Sequence, residues 1–310
     1  QKPYLPIYKK ANWYADGKEY QLPEDFYSSR FLVDKTIEFI DSNQGDGQPF
    51  FAYVPFQAVH MPVQAPQEFI DRYMGVYDQG WTALREERLA RAIELGIVPA
   101  DSAMVTMAST ADWDVLTAKQ QAYEAKRMAV YGAMVEAMDH HIGRLVKHLK
   151  AIGQYDNTVF IFSSDNGAEA MGQPVQNSWL SRRSLASQGY SADYETLGLK
   201  GSFNAINPGF SSAAVSPLAY YKFYLGEGGM RVPMIIAGAG IEIKDQLSNA
   251  FSYVTDITPT ILALTGVEPA PARYGGRSVE PIIGRSLMPL VQGSAEAVYG
   301  DEDAVGHALM

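Results

Sequence analysis

From Thr117 to Ile152 the chain carries its longest hydrophobic periodicity. Met128, Tyr131, Val135, Met138, Ile142, Leu145 and Leu149 recur at spacings of three and four, which predicts an amphipathic helix with Gly153 closing it. Directly behind it comes "NTVFIFSSDNGAE", Asn157 to Glu169. The apolar run Val159–Phe162 is bounded by turn residues, as in a strand buried on both faces. Upstream, "QPFFAYVPF" reads as another buried strand ending at Pro55. Strand, long helix and strand in that order predict an α/β fold, with parallel strands joined by a right-handed crossover.

Other elements are compatible with that plan. "SRFLVDKTIEFIDS" places Phe31, Leu32, Ile37 and Ile40 near one face of a helix with Ser29 as its N-cap. "QAVHMPVQAP" is a loop punctuated by Pro62 and Pro66. Residues 71–113 form a charged insert holding one helix, "TALREERLARAIELG", stopped by Gly96. "RVPMIIAGAG" is a further strand, and "TDITPTILALTG" a helix capped by Thr255 or Asp256, with Pro259 in its first turn and Gly266 at its end. Residues 170–229 are polar and aromatic with little periodicity, which in a compact domain points to function or hidden local structure. "GRSLMPLVQG" adds a last short apolar element. No repeat and no linker marks a boundary, so residues 1–310 are expected to form part of one large domain.

Composition excludes some partners. The 310 residues hold 25 basic and 35 acidic side chains, a net charge of −10, with no basic block. Nucleic acid needs clustered Lys and Arg, so it is not an expected partner. No apolar run of about 18 residues is present for a membrane span, and no signal peptide is visible. The absence of cysteine removes disulfides and thiolate metal sites from these residues. Because the chain opens on Gln1 and closes on "GHALM", it is expected to be a segment of a longer protein.

Ligands of parallel α/β sheets bind beyond the carboxyl ends of strands, and a few polar residues fall there. Asp165 and Asn166 offer a carboxylate and an amide oxygen, the hard donors that Ca²⁺ or Mg²⁺ takes; an Asn-Gly turn, tolerant of positive φ, is the plainer reading of the same residues. Two ligands fall short of the roughly six to eight oxygens of a Ca²⁺ site. His60 follows the first strand in its Pro-flanked loop, where a structural and a catalytic role are equally open. His140, His141 and His148 lie on the long helix and read as non-catalytic. Lys222 would ordinarily be a solvated lysine, but the turn Glu227-Gly228-Gly229 lets backbone approach a ligand closely.

Together these residues resemble the bacterial arylsulfatases of the sulfatase family, within the alkaline phosphatase superfamily. The matching stretches are "PFFAYVPFQAVHMPVQAP", "YGAMVEAMDHHIGRLVKHL", "NTVFIFSSDNGAE", "NPGF…YYKFYLGEGGMRVP" and "VTDITPTILALTGV", in family order from about Leu22 to Leu290. The block "GWTALREERLARAIELGIVPADSAM" resembles an insert of the arylsulfatase branch. The resemblance implies a three-layer fold, a mostly parallel or mixed central sheet flanked by helices. It implies one Ca²⁺ ion on Asp165 and Asn166, and sulfate contacts from His60 and Lys222, the catalytic pair. It also implies a formylglycine nucleophile made from a Cys or Ser in C/S-x-P-x-R, whose hydrate attacks sulfur and releases the alcohol or phenol. A small-molecule sulfate ester is the implied substrate, and a periplasmic or secreted setting the implied location.

This chain departs from the family pattern as well. It holds no C/S-x-P-x-R, no paired N-terminal aspartates and no Lys-x-His stretch, all of which lie upstream in family members. The expectation is therefore a catalytic-domain segment lacking its N-terminal part and most of the C-terminal subdomain, inactive alone. Two alternatives stay open: a phosphonate monoester or phosphodiester hydrolase with the same metal site, and a non-catalytic binding protein of the same fold.

Overall fold

The computed structural model describes residues 13–105, 107, 110–171, 179–270 and 272–303. In chain order they form the hairpin β1 (Tyr14–Ala15) and β2 (Lys18–Glu19), then helices α1 (Ser28–Ser42), α2 (Gln67–Tyr73), α3 (Gly80–Glu94) and α4 (Ala118–Ala151). Strand β3 (Val159–Ser163), helices α5 (Trp179–Ser187), α6 (Pro208–Val215) and α7 (Glu227–Met230), and strand β4 (Met234–Gly238) come next. Helix α8 (Ile257–Thr265), the hairpin β5 (Arg273–Tyr274) and β6 (Arg277–Ser278), and helix α9 (Met288–Val291) end the order. The chain divides into two compact units, one of residues 1–94, 100–152 and 165–232, the other of residues 95–99, 153–164 and 233–310.

Helix α4 organises the first unit. Thr117 and Gln120 form a reciprocal capping box at its start, which satisfies two orphan donors; Gly153, at φ 71°, supplies the left-handed residue just past its end. The buried face is shifted from the predicted stripe: Ala129, Val130, Ala133, Met134 and Ala137 are sealed, whereas Val135 is exposed. Alanines let α2 come close, so Phe69 and Ile70 pack there with Val63 and Ala65. Helix α1 begins at Ser28, so Ser29 lies inside its first turn and is not the N-cap. Helix α3 follows its prediction to within two residues, and Trp81 from it packs edge-on against Trp113 at 4.7 Å and Phe210 at 5.4 Å.

One charged pair lies inside this core. Arg127 Nη1 donates to both oxygens of Glu124 at 3.0 Å, each residue being 2 % exposed. Burial pushes the Glu124 carboxyl upward in pKa and Arg127 opposes it. Asn207 Nδ2 donates to Glu124 at 3.0 Å while its Oδ1 caps α6 at the Phe210 amide. Asn207, from the stretch that looked featureless in sequence, therefore fastens α6 to α4 by polar bonds that leave no hydrophobic period.

Among the described residues the strand pairing differs from the expected crossover. Strand β3 pairs with β4 antiparallel, from Val159 opposite Gly238 to Ser163 opposite Met234. The described sheets are all two-stranded and antiparallel, so the parallel pairing is not among them. "QPFFAYVPF" forms no strand, and Phe51 and Tyr53 are 74 % and 80 % exposed. Nor is β3 buried on both faces, since Phe162 stands exposed. A two-stranded ribbon offers each strand one neighbour, whereas full burial needs layers on both faces. Helix α8 ends as predicted, with Gly266 left-handed at φ 66°, but the expected side-chain cap at its start is not made by Asp256. Asp256 at its start is fully buried and accepts from Arg285 N, Tyr299 Oη and Tyr253 N, anchoring the tail to the helix.

His141 generates a pH prediction. It is buried on α4, and Arg144 Nη1, which can only donate, lies 3.1 Å from its Nδ1. Burial first, then Arg144 and His140, lower its pKa to about 4, against a smaller opposing pull from Asp34. The unfolded imidazole takes a proton near pH 6.5, while the folded one resists down to about 4, so stability falls as pH drops through that window. The melting temperature is expected to fall between about pH 6.5 and 4, and His141→Phe to flatten that slope relative to the parent.

Candidate functional site

The residues singled out in the sequence fall in the first unit. Backbone bonds join two of its segments: the Gly167 amide donates to Gly229 O at 2.9 Å, and the Lys222 amide to Ala168 O at 3.0 Å. Gly167 is indispensable to this seam. A Cβ there would sit 1.8 Å from Gly228 O. This corrects the reading of Asn166-Gly167 as a positive-φ turn, because neither residue has positive φ; the glycine serves close approach. Glu227-Gly228-Gly229 is also reassigned. It begins the short helix α7, and a Cβ added at Gly228 would sit 2.2 Å from Tyr220 O, one added at Gly229 2.3 Å from Tyr224 O. The backbone there approaches its own chain.

Lys222 sits between two residues in the left-handed region, Tyr220 at φ 68° and Phe223 at φ 76°. Bulky side chains rarely adopt it, and such strain persists where the surroundings over-determine it. Its ammonium lies 2.9 Å from Glu169 Oε2, with side chains 18 % and 10 % exposed. Glu169 is in turn held through its carbonyl, which accepts from Ser211 Oγ of α6 at 2.9 Å.

His60 reaches the same carboxylate, its Nε2 lying 4.0 Å from Glu169 Oε2. Its Nδ1 is 2.8 Å from Met61 O. A carbonyl only accepts, so Nδ1 carries hydrogen and Nε2 is the atom that gains or loses a proton. Half of this imidazole is open to solvent.

Asp165 and Asn166 lie in the loop that follows β3 and also carries Glu169, Asn166 Nδ2 donating to Asp165 Oδ1 at 2.7 Å. Among the described residues no cluster of three or more His, Cys, Asp or Glu is arranged to hold a metal. His140 packs edge-on to Phe69 and His148 Nε2 lies 2.8 Å from Asp41. Glu169 is the residue that sequence reading passed over. Its signal was thin: one acid among small residues in "NGAEA".

An ammonium and an imidazole thus converge on one largely enclosed carboxylate, its side chain 10 % exposed. The sulfatase family model matches residues 4–267. The chain is 37 % identical over 279 residues to an uncharacterized sulfatase of Schizosaccharomyces pombe, covering 89 % of this chain and 50 % of that protein. It is 34 % identical over 276 residues to an arylsulfatase of Klebsiella aerogenes, covering 89 % and 58 %. The crystal structure of Ps i-CgsB in complex with k-i-k-neocarrahexaose aligns over 90 % of this chain and 41 % of that one, with a TM-score of 0.50 at 22 % identity, a likeness of fold. The chain thus spans about half the length of the curated relatives it matches. With the family model extending over most of its length, this chain belongs to the sulfatase family.

Proposed function

We propose that the whole protein hydrolyses sulfuric esters of the arylsulfatase type, releasing inorganic sulfate from small aryl or other organic sulfate esters, with residues 1–310 as a segment of its catalytic domain. The observation that carries this reading is the convergence of Lys222 and His60, distant in sequence, on the one carboxylate of Glu169 in a chain of this family. Lys222 would bind a sulfate oxygen and offset the charge that grows on the equatorial oxygens. His60 would hold a proton at Nε2 and deliver it to the leaving oxygen.

The donor chemistry of Asp165 and Asn166 fits a hard divalent cation such as Ca²⁺, and the remaining oxygens would come from other parts of the protein. Bound there, the cation would polarise the sulfate oxygens. The nucleophile, a formylglycine in the reading proposed, belongs outside these 310 residues, which contain no C/S-x-P-x-R. Among the described residues no helix is long and apolar enough to cross a membrane, which is compatible with a periplasmic or secreted setting.

Three substitutions in the whole protein test this reading. With an aryl sulfate, Lys222→Ala is expected to lower kcat roughly a hundred- to a thousandfold, and His60→Ala roughly a hundred- to ten-thousandfold, most severely for poor leaving groups. Faster turnover of an aryl phosphate or phosphonate ester by the parent would favour phosphoester hydrolysis instead, and turnover of none would favour a binding protein. Asp165→Ala is expected to abolish Ca²⁺ binding in calorimetry as well as turnover, since the neutral Asn166 amide cannot replace a charged ligand; an unchanged Ca²⁺ isotherm would remove Asp165 from the metal site.

A further inference from the structure

Glu169 has no place in the reaction as described, yet it is the group on which both proposed catalytic side chains converge. Its Oε2 lies 2.9 Å from Lys222 Nζ and 4.0 Å from His60 Nε2. Its Oε1 is buried and without a hydrogen-bond partner among the described residues. A carboxylate that merely fixed the fold would be expected to have both oxygens satisfied, because a buried orphan acceptor is costly. The backbone on each side is held as well: Ala168 O by the Lys222 amide, and Glu169 O by Ser211 Oγ. The acid is therefore presented to the lysine by a braced loop, and the lysine by the strained turn between Tyr220 and Phe223.

We infer that Glu169 is the positioning residue of the sulfate site, aiming the Lys222 ammonium and selecting the direction of the His60 imidazole; this rests on the sulfatase reading above. An ammonium has three donors. One spent on Glu169 fixes the direction of the other two, which remain for sulfate oxygens. Since Nδ1 of His60 is committed to Met61 O, the ring can present only Nε2 to the carboxylate side, the atom needed at the leaving oxygen. The same charge has a cost for binding. A carboxylate beside the lysine cancels part of the positive field that attracts sulfate, so Glu169 trades ground-state affinity for orientation in the transition state.

This trade gives the inference its test, because a purely structural residue would not show it. In the whole protein, Glu169→Gln keeps the shape and removes the charge. It is expected to bind inorganic sulfate several-fold more tightly by calorimetry, while kcat for an aryl sulfate falls tenfold or more, about the effect of a small misplacement, and KM stays level or falls. Lys222→Met is expected to weaken sulfate instead. Glu169→Asp keeps the charge one methylene back, so sulfate affinity should stay near the parent while kcat drops; it decides the matter alone if Glu169→Gln fails to fold. Parent-like kcat in Glu169→Gln, or sulfate affinity falling together with melting temperature, would overturn the inference. A parent that binds sulfate but cleaves no sulfate ester would overturn the sulfatase reading and leave the sulfate comparison to decide Glu169. A parent that binds no sulfate would overturn both.

Discussion

Two backbones pass so closely at Gly167 and Gly228 that a single added methyl would sit 1.8 Å from a carbonyl oxygen. Everything proposed for the site depends on that closeness. It lets the Gly167 amide bond to Gly229 O and, one residue on, Ala168 O receive the Lys222 amide. Beside that seam Glu169 and Lys222 face each other across 2.9 Å. Side chains cannot do this alone, since flexible lysines lose rotamer freedom when held in one place. Here backbone bonds hold both segments that carry the ion pair.

The pair itself needs such bracing. Taking an ammonium and a carboxylate out of water costs more than their attraction returns unless geometry and further hydrogen bonds are good. The Glu124–Arg127 pair of the core meets that condition with Asn207 as third partner, and it fastens helices. Glu169 meets it only on one oxygen. One pair is closed and structural, while the other keeps Oε1 of Glu169 without a hydrogen-bond partner among the described residues. A site that must accept and release an anion benefits from this kind of incompleteness, because a fully satisfied network would resist the exchange.

Local signals read well from the sequence wherever one residue type had one physical use. Gly96, Gly153 and Gly266 end or follow helices as expected, and the opening of α4 follows from a threonine and a glutamine three residues apart. The face of α4 read less well, because alanine carries little hydrophobic signal yet is what close helix packing selects. Strand pairing failed for a different reason. "QPFFAYVPF" and "VFIFS" both look buried, but partner, direction and cover are non-local, and β3 finds β4 in an antiparallel ribbon. Family motifs led to His60, Asp165, Asn166 and Lys222. They did not lead to Glu169, whose proposed role rests on distance and not on residue type. Gly167 was noticed for its freedom of φ, whereas its value is the absence of a side chain.

The measurement that tests this account most directly is the affinity of the whole protein for inorganic sulfate after Gly167→Ala, read together with its melting curve. The added Cβ must push apart the segments carrying Glu169 and Lys222, while the α2–α4 core, which does not include Gly167, keeps its packing. The account predicts a cooperative melt retained and sulfate affinity lowered at least tenfold, the loss that a displacement of about 1 Å can exceed in a preorganised site. Sulfate binding equal to the parent in a protein carrying that methyl would show that Lys222 is not held by the seam, and would contradict the account at its foundation.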